Sequence, residues 1–151
     1  MNRFLSHFAL ALLAACSPSA TDSPAPPSPA PAKDEAPPLV PLGTLVGEYR
    51  VAGIDGAPLD APFGLALSVT EDRIVFDAPC NGYAWTYRLE GAALRTARSS
   101  SPDPACLATA RIHHLVFDLA AALDAVRSAG RDTSNAVVLS GGGRSVTLYS
   151  Q

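Results

Sequence analysis

Cys80-Asn81-Gly82-Tyr83-Ala84-Trp85-Thr86-Tyr87 is the stretch around which the folded part of the chain is read, together with Cys106 downstream. Tyr83, Trp85, Tyr87 and Leu89 alternate with smaller or polar residues and are all β-formers, so 83–89 reads as a strand. Arg73-Ile74-Val75-Phe76 reads as the strand before it, which puts Cys80 in the connection. Cys106 stands near the start of a segment that reads as a helix. In an oxidising compartment the two cysteines form a disulfide from sheet to helix. For a closed loop of about 27 residues, chain-entropy arithmetic gives about 3.5 kcal/mol, a large share of the roughly 5–15 kcal/mol that holds a domain folded. The alternative is two free thiols, with a helix N-terminus lowering the pKa of Cys106. The absence of a Cys-x-x-Cys pair argues against a thioredoxin-type role.

The compartment is read from the first residues. Arg3 precedes an apolar segment from Phe4 to Leu13, interrupted by Ser6 and His7, which ends in Leu13-Ala14-Ala15-Cys16. The segment is the length of a signal-peptide core and too short for a membrane span, which needs about 20 residues. Leu-Ala-Ala-Cys resembles the lipobox of bacterial lipoproteins, in which the cysteine is lipidated and becomes the mature N-terminus. The resemblance implies palmitate-type acyl chains on Cys16 and residues 1–16 as a signal peptide. Ser17 stands where an aspartate signals retention in the inner membrane. The family rule therefore implies the outer membrane of a Gram-negative cell, with the domain facing the periplasm. An ordinary signal peptide with a chance cysteine is the competing reading. With Cys16 lipidated, Cys80 and Cys106 are the two cysteines left to pair.

Residues 17–41 hold most of the chain's 14 prolines, with alanine, serine and no aromatic residue. Such a segment buries too little apolar surface to fold and samples extended polyproline II. It is expected to be a disordered spacer, with a reach on the order of 75 Å. A proline-rich ligand or a stalk through the cell wall is the sharper alternative.

Residues 42–151 are enough for one domain with one core. Leu45–Ile54 reads as a strand running into the Asp55-Gly56-Ala57-Pro58 turn. Phe63, Leu65, Leu67 and Val69 alternate on one strand face. A turn at Glu90-Gly91 leads to a short strand at 93–96, and Ser99-Ser100-Ser101-Pro102 reads as a loop. Asp103-Pro104 opens a helix, with Asp as cap and Pro at the first helical position. Apolar residues at Ala108, Ile112, Leu115, Val116, Leu119, Ala122 and Leu123 extend that single helix to about Asp124. Ala125–Ser128 is a last turn or a short strand, and 130–134 is a loop. A hairpin ends the chain: 136–140, a Gly141-Gly142-Gly143 turn and 145–149. The expected class is α+β, a small antiparallel sheet or partial barrel packed with one main helix.

The domain resembles the META domain, also called HslJ-like, of small bacterial envelope lipoproteins. The matching residues are Gly47 and Tyr49 in the first strand, Gly56 in the turn after it, then Cys80-Asn81, Tyr87, Gly91 and Leu94 in register, with Cys106 before the helix. Tyr49 stands where the family usually has Trp, Trp85 where Gly is usual, and Ser99–Asp103 replaces Thr-Arg-Met-Ala. The chain thus reads as a divergent member. The resemblance implies an envelope or stress-associated role and brings no catalytic residues with it.

The candidates for chemistry are few. His113 and His114 are adjacent, so on a helix they point about 100° apart. His114 and Asp118 share a face, but a metal site wants three or four ligands and the sequence offers no third. A Ser-His-Asp set built on His114 and Asp118 lacks a nucleophile elbow. Gly141–Gly143 joins two strands, whereas phosphate loops lead into helices. Asn81 is expected to bond neighbouring backbone and fix its turn, with a ligand contact as the alternative. Tyr83, Trp85 and Tyr87 are either core or a binding platform. With 11 basic and 14 acidic residues, net −3, no strong field draws the chain to nucleic acid. The expectation is a non-enzymatic monomer with no metal and no cofactor, anchored by its lipid, that binds an envelope protein or serves structurally. A lysozyme-inhibitor-like module that inserts a mobile Ser99–Pro104 loop stays open, as does a small-ligand carrier or an unrecognised enzyme. A filled core argues against both of the last two.

Overall fold

The computed structural model of the chain describes residues 38–151. The strands are β1 (Val40–Pro41), β2 (Gly47–Ile54), β3 (Ala57–Pro58), β4 (Ala66–Val69), β5 (Arg73–Phe76), β6 (Tyr83–Glu90) and β7 (Ala93–Ser100). Two helices follow, α1 (Pro104–Leu107) and α2 (His114–Ala125), and then β8 (Ser128–Arg131), β9 (Val137–Gly141) and β10 (Arg144–Ser150).

All pairings are antiparallel. The strand order β8-β7-β6-β5-β4-β2-β10-β9 returns on itself, because β9 pairs with β8. The domain is therefore an eight-stranded closed barrel: the expected antiparallel sheet or partial barrel is present, but it closes fully and dominates the fold, so the α+β class gives way to a mostly β one. Closure removes the unpaired sheet edges that an open sheet must cover. An eight-stranded barrel has an interior just wide enough for side chains to fill. Here they fill it: Trp85, Phe76, Leu67, Ile74, Leu94, Leu139 and Leu148 are almost wholly buried, and no polar or charged residue is buried among the described residues. The single apolar stripe of α2, from Val116 through Leu119 and Ala120 to Leu123, packs into the same core against β10, β7, β2 and β9.

Four local expectations are corrected. The single helix is two. The Cys106 carbonyl accepts from Thr109 N–H, Ala110 N–H and the Thr109 hydroxyl, which ends α1 after one turn. His113, in extended backbone, then caps α2 through a long 3.4 Å bond from Leu115 N–H to its Nδ1. The apolar spacing reads straight through the break because Ile112 still packs against the core from outside any helix.

Second, β7 runs on to Ser100, so Ser99 and Ser100 are strand and not loop; Ser100 pairs with Ala84 across a bulge. Third, Gly130 and Arg131 belong to β8. Fourth, the linker gives way to structure before residue 42. Val40 and Pro41 pair with Arg131 and Gly130, on the edge of β8 whose other end pairs with β7. A side chain at Gly130 would lie 2.6 Å from Leu39 Cβ, so the glycine is what lets residues 39–41 close this part of the seam. The terminal hairpin matches the expected one, with Gly142 and Gly143 turning β9 into β10.

Candidate functional site

The connection from β5 to β6 turns by means of three consecutive residues with positive φ: Cys80 at 67°, Asn81 at 75° and Gly82 at 63°. Two of them are not glycine, so this is a costly turn that its surroundings must hold in place. The Cys80–Cys106 disulfide supplies one restraint, with Cα atoms 5.6 Å apart. A backbone bond from Asp103 N–H to the Cys80 carbonyl supplies another. Asn81 contributes through its tolerance of left-handed backbone. Its side chain is exposed and makes no hydrogen bond among the described residues, contrary to the expected backbone bond. Gly82 is required by space as well as by φ, because an added Cβ would lie 2.5 Å from the Phe76 carbonyl oxygen. Gly82→Ala is expected to lower the unfolding free energy by more than about 2 kcal/mol. An unchanged urea midpoint would show the turn to be less constrained than it looks.

Trp85 belongs to the core. It is fully buried and donates from Nε1 to Asp124 Oδ1 at 2.7 Å. Arg98 on β7 forms an ion pair with the same carboxylate, and its guanidinium lies over the Tyr83 and Trp85 rings at 5.0 and 5.5 Å. This chain of contacts ties β6 and β7 to the end of α2. Tyr83 is also buried and stacks between Phe76 and Trp85, so the Tyr83–Tyr87 strand offers no aromatic platform for a partner.

The disulfide also joins the two walls of a cleft of about 280 Å³. One wall is Asp77, Ala78 and Pro79, just ahead of Cys80. The other is Arg111, Ile112 and His113, which follow the α1 turn that carries Cys106. The floor is apolar: Leu65, Phe76 and Val116 are buried there. Phe63 forms the rim. The alternation puts it on one strand face with Leu65, Leu67 and Val69, but strand pairing of that segment starts only at Ala66, and Phe63 is 38% exposed while the other three are buried. Its ring meets His113 edge-on at 5.1 Å, and the His113 ring stacks on His114 at 4.4 Å. The two histidines face each other, against expectation, because His113 lies outside the helix as its cap. His114 and Asp118 gain no third ligand: among the described residues there is no group of three or more residues able to hold a metal.

A second charged group sits at the β2–β3 turn. Arg144 pairs with Asp55 at 2.7 Å and donates to the Asp118 carbonyl. Burial works to raise the Asp55 carboxyl, but the Ser145 N–H bond and Arg144 outweigh it and hold the group below the usual carboxylate range. Burial pushes the Tyr49 phenol up, with Arg131 working against it. Burial also raises Tyr87, helped by Tyr49, Asp72 and Glu71.

The META domain family matches residues 43–151, which hold all eight strands of the barrel and leave out only β1 on the edge of β8. The chain belongs to the META domain family. No curated protein and no solved structure matches the chain. The residues that carry the META resemblance have structural work in this barrel. Gly47 takes a φ of 153° beside the Tyr49 ring, Tyr49 and Leu94 are core, and Gly56 and Gly91 turn strands. Tyr87 donates its hydroxyl to the Thr70 carbonyl at 2.8 Å. In this META domain Trp85, at a position where Gly is usual, adds interior bulk and a hydrogen bond to α2, so the departure lies inside the barrel and alters no exposed face. The Ser99–Asp103 departure is also held down. Pro102 is buried and Asp103 caps α1 by accepting from Ala105 N–H, so this segment is pinned at both ends and is not a free inserting loop. Cys16 and the 1–16 and 17–37 segments lie outside the described residues.

Proposed function

We propose that this META-domain protein is a non-enzymatic lipoprotein, anchored through Cys16 in the outer membrane with its domain facing the periplasm, and that it acts by binding another envelope protein through its outer surface. The observation that carries the reading is the filled barrel. Barrels that carry small ligands keep their interior open, whereas this one is packed with Trp85, Phe76 and the α2 stripe. Recognition is thereby moved to the outside, where the disulfide-tied cleft and the exposed Phe63 lie. The anchor rests on the Leu13-Ala14-Ala15-Cys16 pattern behind an apolar segment, and acyl chains in plurality are what stable membrane attachment requires. A Pro/Ala-rich spacer after the anchor gives the domain reach from the membrane.

Cys16→Ser is expected to move the protein from the membrane fraction to the soluble fraction without changing the fold of residues 38–151. Fractionation followed by immunodetection reads this out. A Cys16→Ser variant that stays with the membrane to the same extent as the wild type refutes the anchor.

A further inference from the structure

The rim of the disulfide-tied cleft carries two charges of opposite sign, Arg111 on one wall and Asp77 on the other, both exposed. Neither makes an ion pair or a side-chain hydrogen bond among the described residues. The ion pairs among the described residues, Arg98 with Asp124 and Arg144 with Asp55, involve neither. Between the two charges the floor of Leu65, Phe76 and Val116 is apolar. At about 280 Å³ the space falls just below the range of small-molecule sites, roughly 300–1,000 Å³. It has room for one large side chain. Phe63 stands at the rim as an exposed aromatic. A buried anchor side chain ringed by polar contacts is how protein interfaces concentrate their affinity.

Resting on the binding reading above, we infer that this cleft takes one large apolar side chain of the partner protein, presented on an extended segment with a carboxylate beside it to meet Arg111 and a donor to meet Asp77. Both signs of charge next to an apolar anchor are what a protein segment offers. A lipid leaflet presents long chains with a headgroup well away from them. Arg is also the cation suited to bidentate capture of a carboxylate.

The test uses the full-length anchored protein in its own cells, with a photo-reactive phenylalanine analogue placed at Phe63 and, as control, at Thr86 on the outward face of β6. The expected result is a dominant cross-link from position 63 to one protein segment in which a large apolar residue neighbours Asp or Glu, with little from position 86. In the same setting Arg111→Glu lowers the yield about fivefold or more, and Arg111→Lys, which keeps the charge but loses the fork, falls between Arg111→Glu and the wild type. Arg111 has no partner among the described residues to lose, so a melting temperature equal to the wild type's separates lost binding from lost fold. The inference is overturned if position 63 captures lipid, the chain's own 17–37 segment, or a segment with no acidic neighbour. It is also overturned if Arg111→Glu leaves the yield unchanged. Capture of a protein from position 86 and not from 63 removes the cleft and leaves the binding reading standing. Capture of no protein from any outward position removes both.

Discussion

Trp85→Ala lowers the unfolding free energy by about 3–5 kcal/mol, the cost of an aromatic-to-alanine truncation in a core that cannot collapse around it. The site has little freedom to collapse, because Trp85 is held from several sides. Its indole stacks near Tyr83, its Nε1 donates to Asp124, and Ile74 pairs opposite it on β5. Truncation leaves a void at the junction of β6, β7 and α2 and removes one of the two side chains that fix Asp124. Trp85→Phe is the companion variant. It keeps most of the bulk and loses the hydrogen bond, so it is expected to cost clearly less than the alanine, with the difference measuring packing. Urea denaturation followed by circular dichroism reads both values. A Trp85→Ala variant within about 1 kcal/mol of the wild type would contradict the placement of this residue in the barrel core.

The second large effect comes from the disulfide. Replacing Cys80 and Cys106 together by alanine is expected to cost about 2–5 kcal/mol, the usual range for removing a native cross-link from a small domain. The 26-residue separation places the chain-entropy share near the middle of that range. The left-handed Cys80-Asn81 turn loses a restraint at the same time. The loss should therefore extend to the cleft, whose two walls the bond joins. The bond itself is checked by alkylation before reduction: the paired protein labels at neither position. Labelling at Cys80 or Cys106 without reductant, or a double variant as stable as the wild type, would falsify the cross-link's structural role.

Much of the barrel was legible in the sequence because its strands carry their signals locally. The alternation in 83–89, the glycine turns at 56, 91 and 141–143, and the β-branched terminal hairpin each specify an element without distant help. Closure was not legible. It depends on β8, a Ser-Ala-Gly-Arg strand with no apolar alternation, which is a strand only because β9, β7 and residues 40–41 meet it. The break between α1 and α2 was hidden for a similar reason: Ile112 keeps the helical phase of the apolar spacing while the backbone leaves the helix.

The candidate site was half visible. The pairing of Cys80 with Cys106 follows from counting cysteines once the compartment is assumed. The cleft does not, because Phe63 reads as one more member of a one-faced strand alternation and nothing in the sequence singles out Arg111. The signal that could have exposed Phe63 is Gly64 directly after it, with Pro62 before it. Both weaken a strand at that point and leave Leu65 as the first residue to face inward.

The measurement that bears most directly on the account is in-cell cross-linking of the tagged, full-length protein, followed by mass spectrometry of the purified adducts. The proposed function, a filled barrel tethered through a lipidated Cys16, predicts one dominant envelope protein, joined through the outside of the domain and lost in Cys16→Ser. Recovery of no enriched protein from the anchored, folded chain would contradict binding as its mode of action.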